Sequence, residues 1–212
     1  MLYREVINEK VFELILSLQE DSVLQEFFLV GGTGLALQIG HRKSNDIDMF
    51  TIKDFDQERV LERVEQEFNF RLDYSEKNTL KGFIGDVKVD FLSHKYRLID
   101  PVQVIEQIRL ASVHDISAMK INAISNDGTR VKDFIDLYFL LQDYRLDRLL
   151  ENYSFKYEMR NPLHALKSLN YFEDADLGGW PELVREKEIT WEQIKQTIDN
   201  ACIQYVQSLK QR

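Results

Sequence analysis

Between residues 29 and 50 the chain reads LVGGTGLALQIGHRKSNDIDMF, and no other stretch restricts its fold as tightly. A short apolar run ends in Gly31, Gly32 and Thr33, an amphipathic segment follows to Ile39, and Asp46 and Asp48 then alternate with Ile47 and Met49. Side chains on a β-strand alternate between faces, so the two aspartates point one way while Ile47 and Met49 point into a core. Two carboxylates held side by side repel each other unless a cation lies between them, and hard divalent ions such as Mg²⁺ favour oxygen ligands. Gly31, Gly32 and Thr33 open a helix, where unsatisfied backbone N–H groups and the helix dipole favour phosphate. A phosphate cradle beside a pair of metal-binding carboxylates is the apparatus of phosphoryl or nucleotidyl transfer.

The rest of the chain must supply a core around this strand. A length of 212 residues suits one domain with a helical extension or two small domains. With 44% apolar and 30% charged residues, the composition is that of an ordinary globular protein. The single cysteine, Cys202, excludes an intramolecular disulfide framework and any cysteine-cluster zinc site. No apolar stretch is long enough to span a membrane, and MLYREVINEK lacks the apolar core of a signal peptide, so a cytoplasmic protein without membrane contact is expected. A net charge of −9 argues against bulk attraction to nucleic acid, but it leaves room for a local basic groove or a basic partner.

Periodicity predicts an amphipathic helix over residues 3–19, a short strand over 26–30, a helix over 32–39 ended by Gly40, and a strand over 47–51. A helix over 55–68 and three strands over 70–74, 79–84 and 87–92 follow, with Gly85-Asp86 as a hairpin turn. Beyond Pro101 the pattern is helical, with helices expected near 102–109, 115–125, 132–143 and 161–170. Thr190 and Gln193 form a capping box for a last helix, with an apolar stripe of Trp191, Ile194, Ile198, Ile203 and Val206. The expected division is an α/β unit over 1–97 and a helical unit over 98–212.

The spacing of Gly-Gly-Thr and Asp-Ile-Asp resembles the signature of the DNA polymerase β-type nucleotidyltransferase superfamily. More narrowly, GGTGLALQIGHRKSNDIDMF with DISAMKINAIS and KDFIDLYFLL is similar to the AbiEii/AbiGii toxin family, the nucleotidyltransferase half of prokaryotic toxin–antitoxin pairs. YFEDAD and the Trp191 helix fit the same family. The resemblance implies a polymerase β-like α/β fold with a mixed sheet and a helical C-terminal half. It also implies three carboxylates on adjacent strands holding two metals, one activating the attacking hydroxyl and the other neutralising the triphosphate and leaving pyrophosphate.

Asp90, in VKVDFLS, is the third carboxylate this implies, with Asp86 at the turn as the lesser candidate; otherwise Asp90 is an exposed strand residue. His41, Arg42, Lys43 and Ser44 form either a solvated connector or a group that touches phosphate or acceptor. The family's recurring small hydroxyl residue before the aspartate pair favours Ser44. Lys120 lies in an apolar helix, where it either snorkels to the surface or, as the resemblance implies, stabilises the triphosphate as charge builds on the leaving group. In KDFIDL, Lys132 and Asp136 are spaced for a helical ion pair; the resemblance makes one of Asp133 and Asp136 functional, with Asp136 preferred because it sits mid-helix among apolar residues. The histidines at 41, 94, 114 and 164 show no metal-ligand spacing.

The expected chemistry is transfer of a nucleoside monophosphate from an NTP to an acceptor hydroxyl. Asp46, Asp48 and Asp90 would hold Mg²⁺, Gly31, Gly32, Thr33 and Ser44 would seat the nucleotide, and Lys120 and Asp136 would assist. Resemblance points to an RNA acceptor such as tRNA and to a cognate antitoxin protein. A small-molecule or protein-modifying nucleotidyltransferase would use the same residues. A non-catalytic binding module that kept the fold would not need the full set.

Overall fold

Burial along residues 47–51 alternates as the sequence requires: Ile47, Met49 and Thr51 are buried, Asp48 and Phe50 only half so. In this computed structural model, which describes residues 1–210, the strand lies at the centre of the first of two units, Met1–Ser112 and Val113–Arg212. The first unit is a mixed α/β structure. Its seven strands are β1 (Phe28–Leu29), β2 (Ile47–Thr51), β3 (Phe70–Glu76), β4 (Thr79–Ile84), β5 (Val87–Ser93), β6 (Gln103–Ile105) and β7 (Ile108–Leu110). They form one sheet in the order β3-β4-β5-β2-β1-β7-β6. β2 pairs parallel with β5 and antiparallel with β1, and β1 pairs parallel with β7.

Helices α1 (Glu9–Glu20), α2 (Gly31–Ile39) and α3 (Gln57–Phe68) pack against the sheet. Phe27 sits edge-on to Phe55 and Phe91 at centroid separations of 5.1 and 5.5 Å, and Phe70 meets Phe91 at 5.9 Å. Such edge-to-face contacts add to the burial of the rings themselves.

Three expectations are corrected in this unit. The helix over 3–19 is broken: Arg4–Val6 makes one turn, and Asn8 then caps α1 by accepting from the Lys10 N–H at 2.9 Å. Residues 102–109 are a β-hairpin, not a helix. Its turn residues Glu106 and Gln107 have φ of 50° and 70°, a conformation that neither side chain favours. The Glu106 carboxylate holds the turn by accepting from Leu2 N–H and Arg4 Nε, both at 2.9 Å. Arg109 then ties β7 to the end of α1, donating to the carbonyls of Gln19, Leu24 and Phe27 at 2.8, 3.3 and 3.1 Å. The hairpin therefore belongs to the sheet, and the first unit ends after Ser112 rather than near residue 97.

The second unit is helical: α4 (Val113–Asn126), α5 (Val131–Asp143), α6 (Leu146–Lys156), α7 (Leu163–Leu169) and α8 (Trp191–Leu209). α4 packs against α5, α6 and α7, while α8 lies along α5, α6 and α7. The Thr190–Gln193 capping box forms as expected. Phe134, Phe172 and Trp191 make a triangle of rings 5.5 to 5.8 Å apart. The buried stripe of α8 is Ile194, Ile198 and Cys202, at a spacing of four, whereas Ile203 and Val206 are exposed. α6 is a helix the periodicity reading passed over, although Leu146, Leu149, Leu150 and Tyr153 bury one face of it. Among the described residues no helix is long and apolar enough to cross a membrane.

Candidate functional site

Val30 leaves β1 with its N–H on the Asp48 carbonyl at 2.9 Å, so the glycine turn starts directly beside the aspartate strand. Gly31 has φ +67°, and a Cβ there would lie 1.9 Å from Asp48 Oδ2. Only glycine combines that backbone with so close an approach by the carboxylate. Gly32 makes room on the other side, where a Cβ would lie 2.3 Å from Arg42 Nη2. One glycine thus seats an anion and the next a cation. Thr33 Oγ1 lies 2.9 Å from Ser44 Oγ and also meets the Asp46 carbonyl. A hydroxyl has one proton, so Thr33 donates to the carbonyl and accepts from Ser44. That chain fixes the connector to the first turn of α2, whose leading N–H groups have no intrahelical acceptor.

Asp48 and Asp90 are direct neighbours in the parallel register of β2 and β5. Asp90 is buried, and its Oδ1 has no hydrogen-bond partner. Its Oδ2 lies 3.2 Å from Lys88 Nζ, on a lysine that is itself half exposed. A buried carboxylate oxygen without a partner is costly and suits a cation. Asp46 is exposed, one residue before β2 and on the Asp48 side of the strand. Asp86 is exposed at the β4–β5 turn. Among the described residues no three His, Cys, Asp or Glu side chains converge on one point as a ready-made metal cage. The donor set nonetheless fits a hard divalent ion: two register-paired carboxylates, one with an orphaned oxygen, and a third carboxylate at the exposed end of the strand.

The connector is not a solvated loop. His41 and Arg42 are buried, and Arg42 Nη1 donates to the Lys43 carbonyl at 3.1 Å while its other arm lies on Gly32. Lys43 turns away and donates to the Glu5 carbonyl. Of the two basic residues, Arg42 therefore adds positive charge to the glycine turn.

Lys120, Asp133 and Asp136 lie in the helical unit. Lys120 does not snorkel: it is 5% exposed, and its ammonium sits 2.6 Å from Asp133 Oδ1 and 2.7 Å from Asp136 Oδ2. Asp133 and Asp136 thus share one cation, and Arg130 Nε approaches Asp133 Oδ2 at 3.5 Å. A second buried pair, Lys156 with Asp115 at 2.7 Å, is not legible in the sequence pattern and clamps the end of α6 to the start of α4. A lysine at the end of an apolar helical face was its one sequence signal. Tyr138 is buried and donates to Glu186 at 2.5 Å; burial and this bond push its phenol up to about 12.

Comparison with known proteins gives the family and the fold. Residues 14–200 match the family described as "Nucleotidyl transferase AbiEii toxin, Type IV TA system". An uncharacterized protein of Aquifex aeolicus (strain VF5) is 30% identical over 210 residues, covering 95% of this chain and 97% of its own. A Helicobacter pylori protein provisionally called a nucleotidyltransferase has a similar crystal structure, with TM-score 0.58, 20% identity and coverage of 96% of this chain and 95% of its own. The crystal structure of JHP933 from Helicobacter pylori gives TM-score 0.56 at 18% identity, covering 96% and 92%.

Proposed function

Because the chain belongs to the AbiEii nucleotidyltransferase toxin family of type IV toxin–antitoxin systems, we propose that it carries nucleoside monophosphate from an NTP to an acceptor hydroxyl on RNA, at a divalent-metal site built on Asp48 and Asp90. The observation that carries this reading is the Asp48–Asp90 register pair set against Gly31, with an unpartnered oxygen on Asp90. Asp46, exposed on the same side of the strand, would be the third residue to hold the ion. When bound, Mg²⁺ supplies charge neutralisation for the phosphates and acidifies the acceptor hydroxyl.

The chain's own residues do the positioning. The N–H groups of Gly31, Gly32 and Thr33 receive the triphosphate tail, and Arg42 beneath Gly32 adds a fixed positive charge to that end. Ser44 and Thr33 hold Asp46 at the mouth of the turn. The acceptor oxygen bonds to the α-phosphorus as the bond to the bridging oxygen breaks, the hydroxyl proton passes to solvent water, and pyrophosphate leaves. Lys120 is a positioning residue in this reading: its charge is already matched by Asp133 and Asp136, and it holds α4 against α5. NTP and RNA as substrates would suit a cytoplasmic protein, and family membership makes a cognate antitoxin its expected protein partner.

The test is incubation of the protein with each labelled NTP, Mg²⁺ and total cell RNA or lysate, beside Asp48→Asn. Label on RNA that disappears in the variant and on chelation of the metal supports the reading. Label on a small molecule or on protein replaces the acceptor. Equal labelling by both proteins overturns the site.

A further inference from the structure

The face of the sheet that carries Asp48 and Asp90 continues into a run of rings. Phe50 follows Asp48 by two residues on β2 and Leu92 follows Asp90 by two on β5, so strand alternation brings both to the same face, and His94, just past the end of β5, meets Phe50 there. The Phe50 and His94 rings lie 5.6 Å apart at 41°, and His94 and Tyr96 lie 4.7 Å apart at 51°. His94 is held in place by its N–H on the Thr51 carbonyl at 2.7 Å. Tyr96, at the end of the run, is 44% exposed. Lys95, whose ammonium pairs with Asp54 across the surface, and Arg97 are both exposed and interleave with the rings in a chain whose net charge is −9.

The direction of the run of rings gives it a use. β1 runs antiparallel to β2, so that Val30 meets Asp48 while Phe28 meets Phe50. Moving from Asp48 to Phe50 therefore moves away from the Gly31 turn, by about 7 Å for two residues. Displacement at phosphorus runs in line, so the attacking hydroxyl stands opposite the departing pyrophosphate. With the triphosphate tail at the glycine turn, the acceptor approaches from the side of the rings.

We propose that Phe50, His94 and Tyr96 form a stacking platform for the terminal nucleobase of a single-stranded polynucleotide acceptor, with Lys95 and Arg97 beside its phosphates. Aromatic rings alternating with basic side chains bind single strands through base π-faces and the backbone rather than through a base-specific code. The platform selects an acceptor by its unpaired end. This inference rests on the nucleotidyl-transfer reading above, from which it takes the direction of approach.

The test uses the whole chain and a short fluorescein-labelled oligoadenylate, read by anisotropy, with ATP affinity measured separately. Tyr96→Ala, at an exposed position, is expected to weaken oligoadenylate binding about tenfold. Tyr96→Phe should retain it, and ATP affinity should not change. An oligomer lacking its terminal base should bind the wild type as weakly as the intact oligomer binds Tyr96→Ala. Unchanged binding by Tyr96→Ala overturns the platform, as does equal binding of the baseless oligomer or no binding to the wild type. A fall in ATP affinity would assign the rings to the incoming nucleotide and also overturn it. Asp48→Asn separates the two ideas: if that variant still transfers label, the metal-site reading fails whatever the anisotropy shows. If it loses transfer while Tyr96→Ala binds and transfers normally, only the platform fails.

Discussion

Gly31→Ala tests the closeness on which the site depends, and Gly85→Ala is its internal control. The two glycines share a backbone conformation, φ +67° and +61°, so an alanine at either carries the same left-handed strain of about 1–2 kcal/mol. Nothing lies within 4 Å of a Cβ at Gly85, whereas at Gly31 that atom would stand 1.9 Å from Asp48 Oδ2. Ordinary contact begins near 3.4 Å, so the Asp48 carboxylate must retreat by about 1.5 Å. A misplacement of about 1 Å in reacting geometry costs on the order of a hundredfold in rate. Urea unfolding should therefore show similar losses for the two variants, with a moderately larger one for Gly31→Ala. Labelled-nucleotide transfer should be near wild type for Gly85→Ala and down by about a hundredfold or more for Gly31→Ala. Wild-type transfer by a folded Gly31→Ala would refute the claim that the carboxylate works from its seat against the turn.

Other perturbations read other parts of the molecule. Lys120→Met leaves Asp133 and Asp136 buried without their cation and should cost about 3–5 kcal/mol in urea unfolding. Adding Asp133→Asn and Asp136→Asn should recover most of that loss, and a cost below about 1 kcal/mol for the single variant would show that the triad is not buried in solution. Lys88→Gln removes the ammonium 3.2 Å from Asp90 Oδ2, so calorimetric titration should find Mn²⁺ bound severalfold more tightly; weaker binding would mean that Asp90 is not a ligand. The Tyr138 phenol is raised by burial and by Glu186 to about 12, above its unfolded value near 10. Its contribution is therefore complete below pH 10 and is lost as pH rises toward 12. Tyr138→Phe should flatten the fall of unfolding free energy over that window, and an unchanged slope would remove Tyr138 as its source.

Residues 29–50 could be read directly because everything they specify is local. Period-two alternation, a turn that only glycine can make, and a left-handed Gly40 at the helix end are all written within a few residues of where they act. The β4–β5 hairpin and the Thr190 capping box were legible for the same reason. Asp90 needed one further step, since a strand shows which face a residue occupies but not which strand lies beside it; the β2–β5 register supplied that.

What escaped the linear pattern depends on partners far along the chain. The 103–110 hairpin has unfavourable turn residues, and it forms because Glu106 meets Leu2 and Arg4, more than a hundred positions away, and Arg109 meets carbonyls at the end of α1 and just after it. Lys120 offered two readings in the sequence, a surface charge or a phosphate contact. The fold gave it a third, between two carboxylates on the next helix. Local conformational preference acts over a few bonds and can be read along a line. The desolvation of a charge depends on everything packed around it, and that exists only once the chain has folded.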